Sequence, residues 1–251
     1  MTLEIITSEL LQDVKHGFFS RKGGASSGVF EGLNCGVGSS DQSDMVQINR
    51  NRVSNEMGVE PETLVTVHQT HSTRVHVANG RNQGALPQAD AIVSKTAGIA
   101  LGVLTADCQP VLFADTEAGV VAAAHAGWRG ALDGMLEETI DAMVTLGAVP
   151  HRIRAVIGPS ISQRAYEVGP EFFERFADED PAYSQYFANG ERDRMLFDLP
   201  GFGLHRLRNA GVTAEWTGHC TYSDPDRFFS YRRSVHSKQA DYGRLISSIR
   251  L

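Results

Sequence analysis

Cysteine is scarce in this chain, and the three present, Cys35, Cys108 and Cys220, are odd in number and far apart. That pattern excludes a disulfide framework and points to a reducing compartment. Basic charge is scarce too. Lys and Arg total 23 against 30 Asp and Glu, for a net charge of −7. The basic footprint that nucleic acid or an acidic lipid surface requires is therefore missing, and an anionic substrate would need a local positive site. Long apolar runs are absent: GIALGVLTA stops at Asp107 and is far too short to cross a bilayer. The opening MTLEIITSELLQDVKHG has no basic segment followed by an apolar one, so no signal peptide is expected and the reading is cytoplasmic. With no linker, repeat or low-complexity tract, residues 1–251 are expected to form a single domain.

What is present is an alternation of strand and helix patterns. Strands are expected at 16–20, 91–94, 99–104, 111–114, 119–124, 153–157, 212–216 and 244–249. Segments 64–67 and 74–77 read as two strands paired with each other, with His68-Gln69-Thr70-His71 between them. Residues 21–38 are glycine-rich loop. Met45, Ile48, Val53 and Met57 give 42–57 a helical spacing, and 130–146 reads as one helix ended by Gly147. Shorter helices are expected at 170–176 and 202–209. Mixed order with short connections implies an α/β (α+β) layered sandwich, with mixed β-sheets flanked by helices.

Three strand ends carry metal-binding residue types: the HQTH segment, Thr105-Ala106-Asp107-Cys108, and His125-Ala126-Gly127-Trp128-Arg129-Gly130. One Cys and two His match the three protein ligands of a catalytic zinc that keeps a fourth position open. His71, Cys108 and His125 are thus candidate ligands, although wide spacing is no signature. A lone Cys is often a small buried hydrophobe, and a lone His a hydrogen-bonded structural residue. The Gly-Trp-Arg-Gly turn aims a helix N-terminus and Arg129 at the place His125 occupies, which suits an anion. The same turn also reads as a plain strand–helix joint anchored by Trp128.

The strings HGFFSRKGG, LVTVHQTHS, ADAIVS, TADCQPVLFAD, AAAHAGWRG, IGPSIS, YEVG and CTYSDPDRFFSYRR occur in that order over nearly the whole chain. Together they resemble the YfiH/laccase-domain family, also called the multicopper polyphenol oxidase or peptidoglycan editing factor family. The resemblance implies a single-domain α/β sandwich and Zn²⁺ held by His71, Cys108 and His125. It also implies phosphorolysis of adenosine, inosine, guanosine and methylthioadenosine, and deamination of adenosine. The expected partners are purine nucleosides and phosphate, with no nucleic acid and no membrane. Copper is the alternative ion, after the family's older oxidase label, and peptidoglycan precursor editing is a further role attached to it. LNCGVGSSDQ and SVHSKQADYGRLIS depart from the family's usual pattern.

Within that reading Asp107, beside a ligand, is a candidate proton carrier or acceptor behind the metal; it also suits a turn. His68 is a candidate acid/base or ribose contact, or a structural histidine. Arg21 and Arg129 are phosphate candidates, since a guanidinium matches that anion, though basic residues near turns are commonly just solvated. Arg232, after Phe228, Phe229 and Tyr231, is a candidate pocket residue, with Arg233 as its structural neighbour. Cys35 and Cys220 read as structural thiols, and Tyr166 is left without a role. The rival readings are a thiol hydrolase with Cys108 as nucleophile and a His base, a copper oxidase, and a non-catalytic partner of a cell-wall enzyme.

Overall fold

The computed structural model describes residues 2–251. In chain order the elements are β1 (Ile5–Ile6), β2 (Lys15–Phe19), α1 (Ser43–Met57), β3 (Leu64–Val65), β4 (Val75–Val77), β5 (Ala91–Ser94), β6 (Ala100–Thr105), β7 (Gln109–Asp115) and β8 (Val120–Ala126). There follow α2 (Trp128–Asp133), α3 (Met135–Thr145), β9 (Arg154–Ile157), β10 (Glu167–Val168), α4 (Pro170–Glu179), β11 (Phe187–Asn189) and β12 (Met195–Phe197). The chain closes with α5 (Leu199–Asn209), β13 (Thr213–Trp216), α6 (Tyr231–His236) and β14 (Leu245–Arg250).

Two sheets face each other. One has five strands in the order β1-β2-β14-β6-β3, the other six in the order β13-β9-β7-β8-β5-β4. Both mix parallel and antiparallel pairs, as expected from the sequence. Val65, Leu101, Val103 and Ile249 of the first meet Ile92, Leu112, Val121 and Ala123 of the second in one buried core. The outer face of the six-stranded sheet packs Val111, Phe113, Ala122 and Ala124 against Met135, Leu136 and Ile140 of α3 and Leu207 of α5. On the other side, Val53 and Met57 of α1 cover Leu64, Ala100 and Ile246. The result is helix, sheet, sheet, helix. It explains why 119–124 is apolar throughout: with both faces covered, alternation has nothing to separate. A small sheet, β10-β12-β11, lies apart with α4 around an aromatic cluster that includes Trp128, Phe176 and Phe202.

Three expectations need correcting. Segments 64–67 and 74–77 do not pair: β3 joins β6 and β4 joins β5, in different sheets. The helix over 130–146 starts earlier, at Trp128, and breaks at Gly134, whose φ of 100° no helical residue adopts. In α1 the buried positions are Val46, Asn49, Val53, Ser54 and Met57, while Ile48 is exposed. Buried Asn49 folds the glycine-rich loop over this helix. It accepts the Ala25 N–H at 2.7 Å and donates to Ser26 Oγ and the Asn34 carbonyl.

Candidate metal centre

The connections that cross between the two sheets build the site. The chain leaves the five-stranded sheet after β3 and enters the six-stranded sheet at β4, and that crossing carries His71. The turn from β6 to β7 makes the same crossing and carries Cys108. His125 is the penultimate residue of β8, on the face it shares with Val121 and Ala123 of the inter-sheet core. All three therefore meet at one open end of the sandwich. Their donor atoms lie within 4.8 Å of one another. Cys108 Sγ is 3.9 Å from His71 Nε2, and the two imidazoles stand edge to face at 87° with centroids 4.7 Å apart.

The backbone at this end is strained and held. His71 and Asp107 both have positive φ, 57° and 86°, a conformation that costs roughly 1–3 kcal/mol in non-glycine residues. Asp90, fully buried at the start of β5, holds the first. Its carboxylate accepts the N–H groups of Thr70, His71 and Ser72 at 3.2, 3.0 and 2.6 Å, and the Ser72 hydroxyl at 2.7 Å. The same carboxylate accepts Nδ1–H of His125 at 2.9 Å. That bond sets the tautomer and turns Nε2 toward Cys108. Burial opposes ionisation of Asp90, but donation from His125 and Ser72 outweighs it and keeps the carboxyl well below the usual range.

Burial likewise opposes ionisation of Cys108, yet His125 and His71 overcome it and bring the thiol down to about 6. Burial disfavours protonation of His125, yet Cys108 and Asp90 overcome it and raise the imidazole to about 9. Each of the two favours the charged form of the other, which eases formation of the negative sulfur a metal would take as a ligand. The residues fit zinc: bonds of about 2.0 Å to nitrogen and 2.3 Å to sulfur put tetrahedral ligand atoms roughly 3.3–3.7 Å apart, close to the 3.9 Å seen. Gly127 completes the cradle, because a Cβ there would stand 2.9 Å from Cys108 Sγ and 3.3 Å from the His71 ring.

A cavity of about 310 Å³ opens from these three residues. Its walls include Val37, His68, Leu104, Thr105, Tyr242 and Arg244. His68 is one of these wall residues and is exposed. Asp107 is not in the wall. Its buried carboxylate accepts the Thr221 and Ser230 hydroxyls at 2.6 and 2.9 Å and the Arg232 N–H at 2.6 Å, tying the Cys108 turn to the start of α6. Burial raises its pKa against those donors.

The expected arginines are not in the wall either. Arg21 spends its guanidinium on the carbonyls of Glu31 and Pro225. Arg129 is exposed and leans over Trp128. Arg232 donates to the Glu167 carbonyl at 2.7 Å and lies over Tyr166, whose hydroxyl is pushed up by burial and then by Cys108. Sequence reasoning missed Asp90, Tyr242 and Arg244. Asp90 had a faint signal, a carboxylate opening the apolar strand of ADAIVS. Arg244 had none, because it reaches the cavity only through the pairing of β14 with β6.

Among known proteins, this chain is 39% identical over 230 residues to a purine nucleoside phosphorylase of Deinococcus radiodurans, covering 88% of this chain and 85% of that one. It is 40% identical over 215 residues to the purine nucleoside phosphorylase YfiH of Escherichia coli, covering 85% and 86%. A crystal structure of a Neisseria meningitidis protein superposes with a TM-score of 0.89 at 36% identity, over 100% of this chain and 99% of that one. That of the Bacillus licheniformis hypothetical protein YfiH gives 0.90 at 28% identity, over 98% and 96%. The family described as multi-copper polyphenol oxidoreductase laccase matches residues 15–251, and the chain belongs to that family.

Proposed function

We propose that this chain is a zinc-dependent purine nucleoside enzyme. It phosphorolyses adenosine, inosine, guanosine and methylthioadenosine, and it hydrolytically deaminates adenosine. The observation that carries the reading is the convergence of His71, Cys108 and His125 on one cavity. Relatives named purine nucleoside phosphorylase support it. The reading takes residues 1–251 as one domain, since the two sheets share a core.

Zinc in this site would supply Lewis acidity and a net positive centre beside the substrate. The chain's own residues do the rest. Asp90 fixes His125 and the His71 loop so that both imidazoles stay aimed at the ion. Asp107 keeps the Cys108 turn docked on α6. His68, exposed in the cavity wall, would give or take the proton. Phosphorolysis joins a phosphate oxygen to C1′ and breaks the C1′–N9 bond, and the departing purine takes a proton. Deamination adds water at the purine carbon bearing the amine and releases ammonia. Arg232, above Tyr166 and with its backbone N–H on the Asp107 carboxylate, is a candidate substrate contact behind the Cys108 turn. Arg21 is held on backbone carbonyls, and Arg129 is exposed over Trp128; neither lines the cavity.

One other reading has a specific observation behind it. A thiolate next to an imidazolium is the arrangement of a thiol hydrolase, which in this family would act on wall precursors. Alkylation would stop such an enzyme and chelation would not. A multicopper oxidase is disfavoured: the nine histidines are scattered, and one group among the described residues converges.

The test incubates zinc-loaded protein with adenosine, with and without phosphate, and separates the purines. Adenine or hypoxanthine that needs phosphate, or inosine that does not, is expected. Cys108→Ala should lose both turnover and stoichiometric zinc. Intact adenosine with zinc fully bound rejects the nucleoside reading, whereas full activity in metal-free Cys108→Ala rejects the zinc mechanism.

A further inference from the structure

We propose that Arg244, together with the Thr105 hydroxyl, forms the oxyanion subsite of this cavity, where inorganic phosphate sits against the His71, Cys108 and His125 group. The inference rests on the phosphorylase reading and names the place of its second substrate. A chain of net charge −7 repels an anion unless a cation faces it locally. Among the described residues Arg244 is the only Lys or Arg in the cavity wall.

The Arg244 guanidinium is both positioned and available. Its stem packs over Gly36, where a Cβ would come within 2.7 Å of Cδ, and its head lies 4.5 Å from the Tyr242 ring centroid. The backbone N–H is tied to Asn34 Oδ1 at 2.9 Å. Yet no carboxylate pairs with the guanidinium among the described ion pairs, and its one hydrogen bond is a long 3.4 Å donation from Nη1 to the Tyr242 carbonyl. Asp241 feels its charge, but that carboxylate is taken up by the Ser40 N–H and hydroxyl and the Tyr242 N–H. Nε and Nη2 remain for a forked contact with a tetrahedral anion.

Thr105 is the second, independent observation. Its Cα is paired with Leu245, one residue along from Arg244, and Thr105 and Arg244 both line the cavity where β6 ends and the Cys108 turn begins. Thr105 shares the inward face of β6 with Leu101 and Val103, and His125 looks into the same gap from β8. The Thr105 hydroxyl is buried, lacks any partner, and belongs to a residue of the cavity wall. A buried hydroxyl is rarely left unpaired, and a phosphate oxygen would pair it.

The experiment uses the zinc-loaded full chain, with phosphate and nucleoside varied separately. Arg244→Gln should raise the phosphate KM roughly tenfold to hundredfold, the loss expected for a charged hydrogen bond. The nucleoside KM and zinc content should stay within about twofold. Arg244→Lys should recover part of the loss, and Thr105→Val should cost about threefold to tenfold. Calorimetric titration with inorganic phosphate should show binding to wild type that Arg244→Gln loses. An unchanged phosphate KM in Arg244→Gln and Thr105→Val, with wild type turning over, overturns the subsite and leaves the phosphorylase reading standing. Phosphate bound through Arg244 with no nucleoside cleaved upholds the subsite and overturns that reading.

Discussion

At the residue scale, Asp90 does more for the site than any side chain outside the ligands. One carboxylate holds three successive backbone N–H groups around His71 and the Nδ1–H of His125. Asn in its place keeps the size but loses the charge and turns one oxygen into an N–H₂ that cannot accept. Asp90→Asn should therefore lower zinc affinity about 10–100-fold, the usual effect of losing the carboxylate behind a metal-bound histidine. Competition against a chromophoric chelator measures it. The candidate ligands were legible because Cys and His at strand ends are chemically conspicuous. Asp90 was not, since an acid before an apolar strand reads equally well as a surface turn. Its role depends on which two loops fold over it.

At the element scale, the N-terminal segment is latched by a histidine with no part in the metal site. His16, on β2 and almost buried, donates Nδ1–H to the Val14 carbonyl and accepts the Ser8 N–H at Nε2, 2.9 Å away. Only neutral imidazole can do both. Burial pushes its pKa below the ordinary 6.5, against the pull of the Val14 and Leu11 carbonyls. Because the unfolded chain binds this proton more readily, the stabilisation is complete above the unfolded pKa. It is lost as pH falls through the lower folded value. Melting temperatures at pH 7 and pH 5 test this, and the drop should be smaller in His16→Gln, whose amide does not titrate. Elements such as β7, β8 and β9 were legible from apolar runs of strand length. The break at Gly134 was not, because an isolated glycine in a helical pattern is commonly tolerated.

At the scale of the whole molecule, the candidate metal would act as a pin. His71 and Cys108 lie on two of the chain crossings between the sheets, and His125 stands near the end of a central strand of one of them. An ion shared by the three closes the open end of the sandwich. At zinc one hundredfold above Kd the stabilisation is about 2.7 kcal/mol, which for a chain of this size means a fall in Tm of roughly 5–10 °C on chelation. Scanning calorimetry before and after chelator, with zinc restored afterwards, checks it. Hydrogen exchange should quicken first in residues 66–74 and 106–108. Among the described residues no helix is long and apolar enough to cross a membrane.

The sequence by itself determined the class of fold, most of the strands, and the three residues able to hold a metal. Those follow from local periodicity and from the chemistry of single side chains. Tertiary structure alone decided that β3 and β4 lie in different sheets, that Asp90 serves two candidate ligands at once, and that Arg244 rather than Arg21, Arg129 or Arg232 lines the cavity. Each of these depends on contacts between segments distant in the chain. Arg244 lines the same cavity as Cys108 only because β14 returns across the fold to pair with β6, and no local pattern records that pairing.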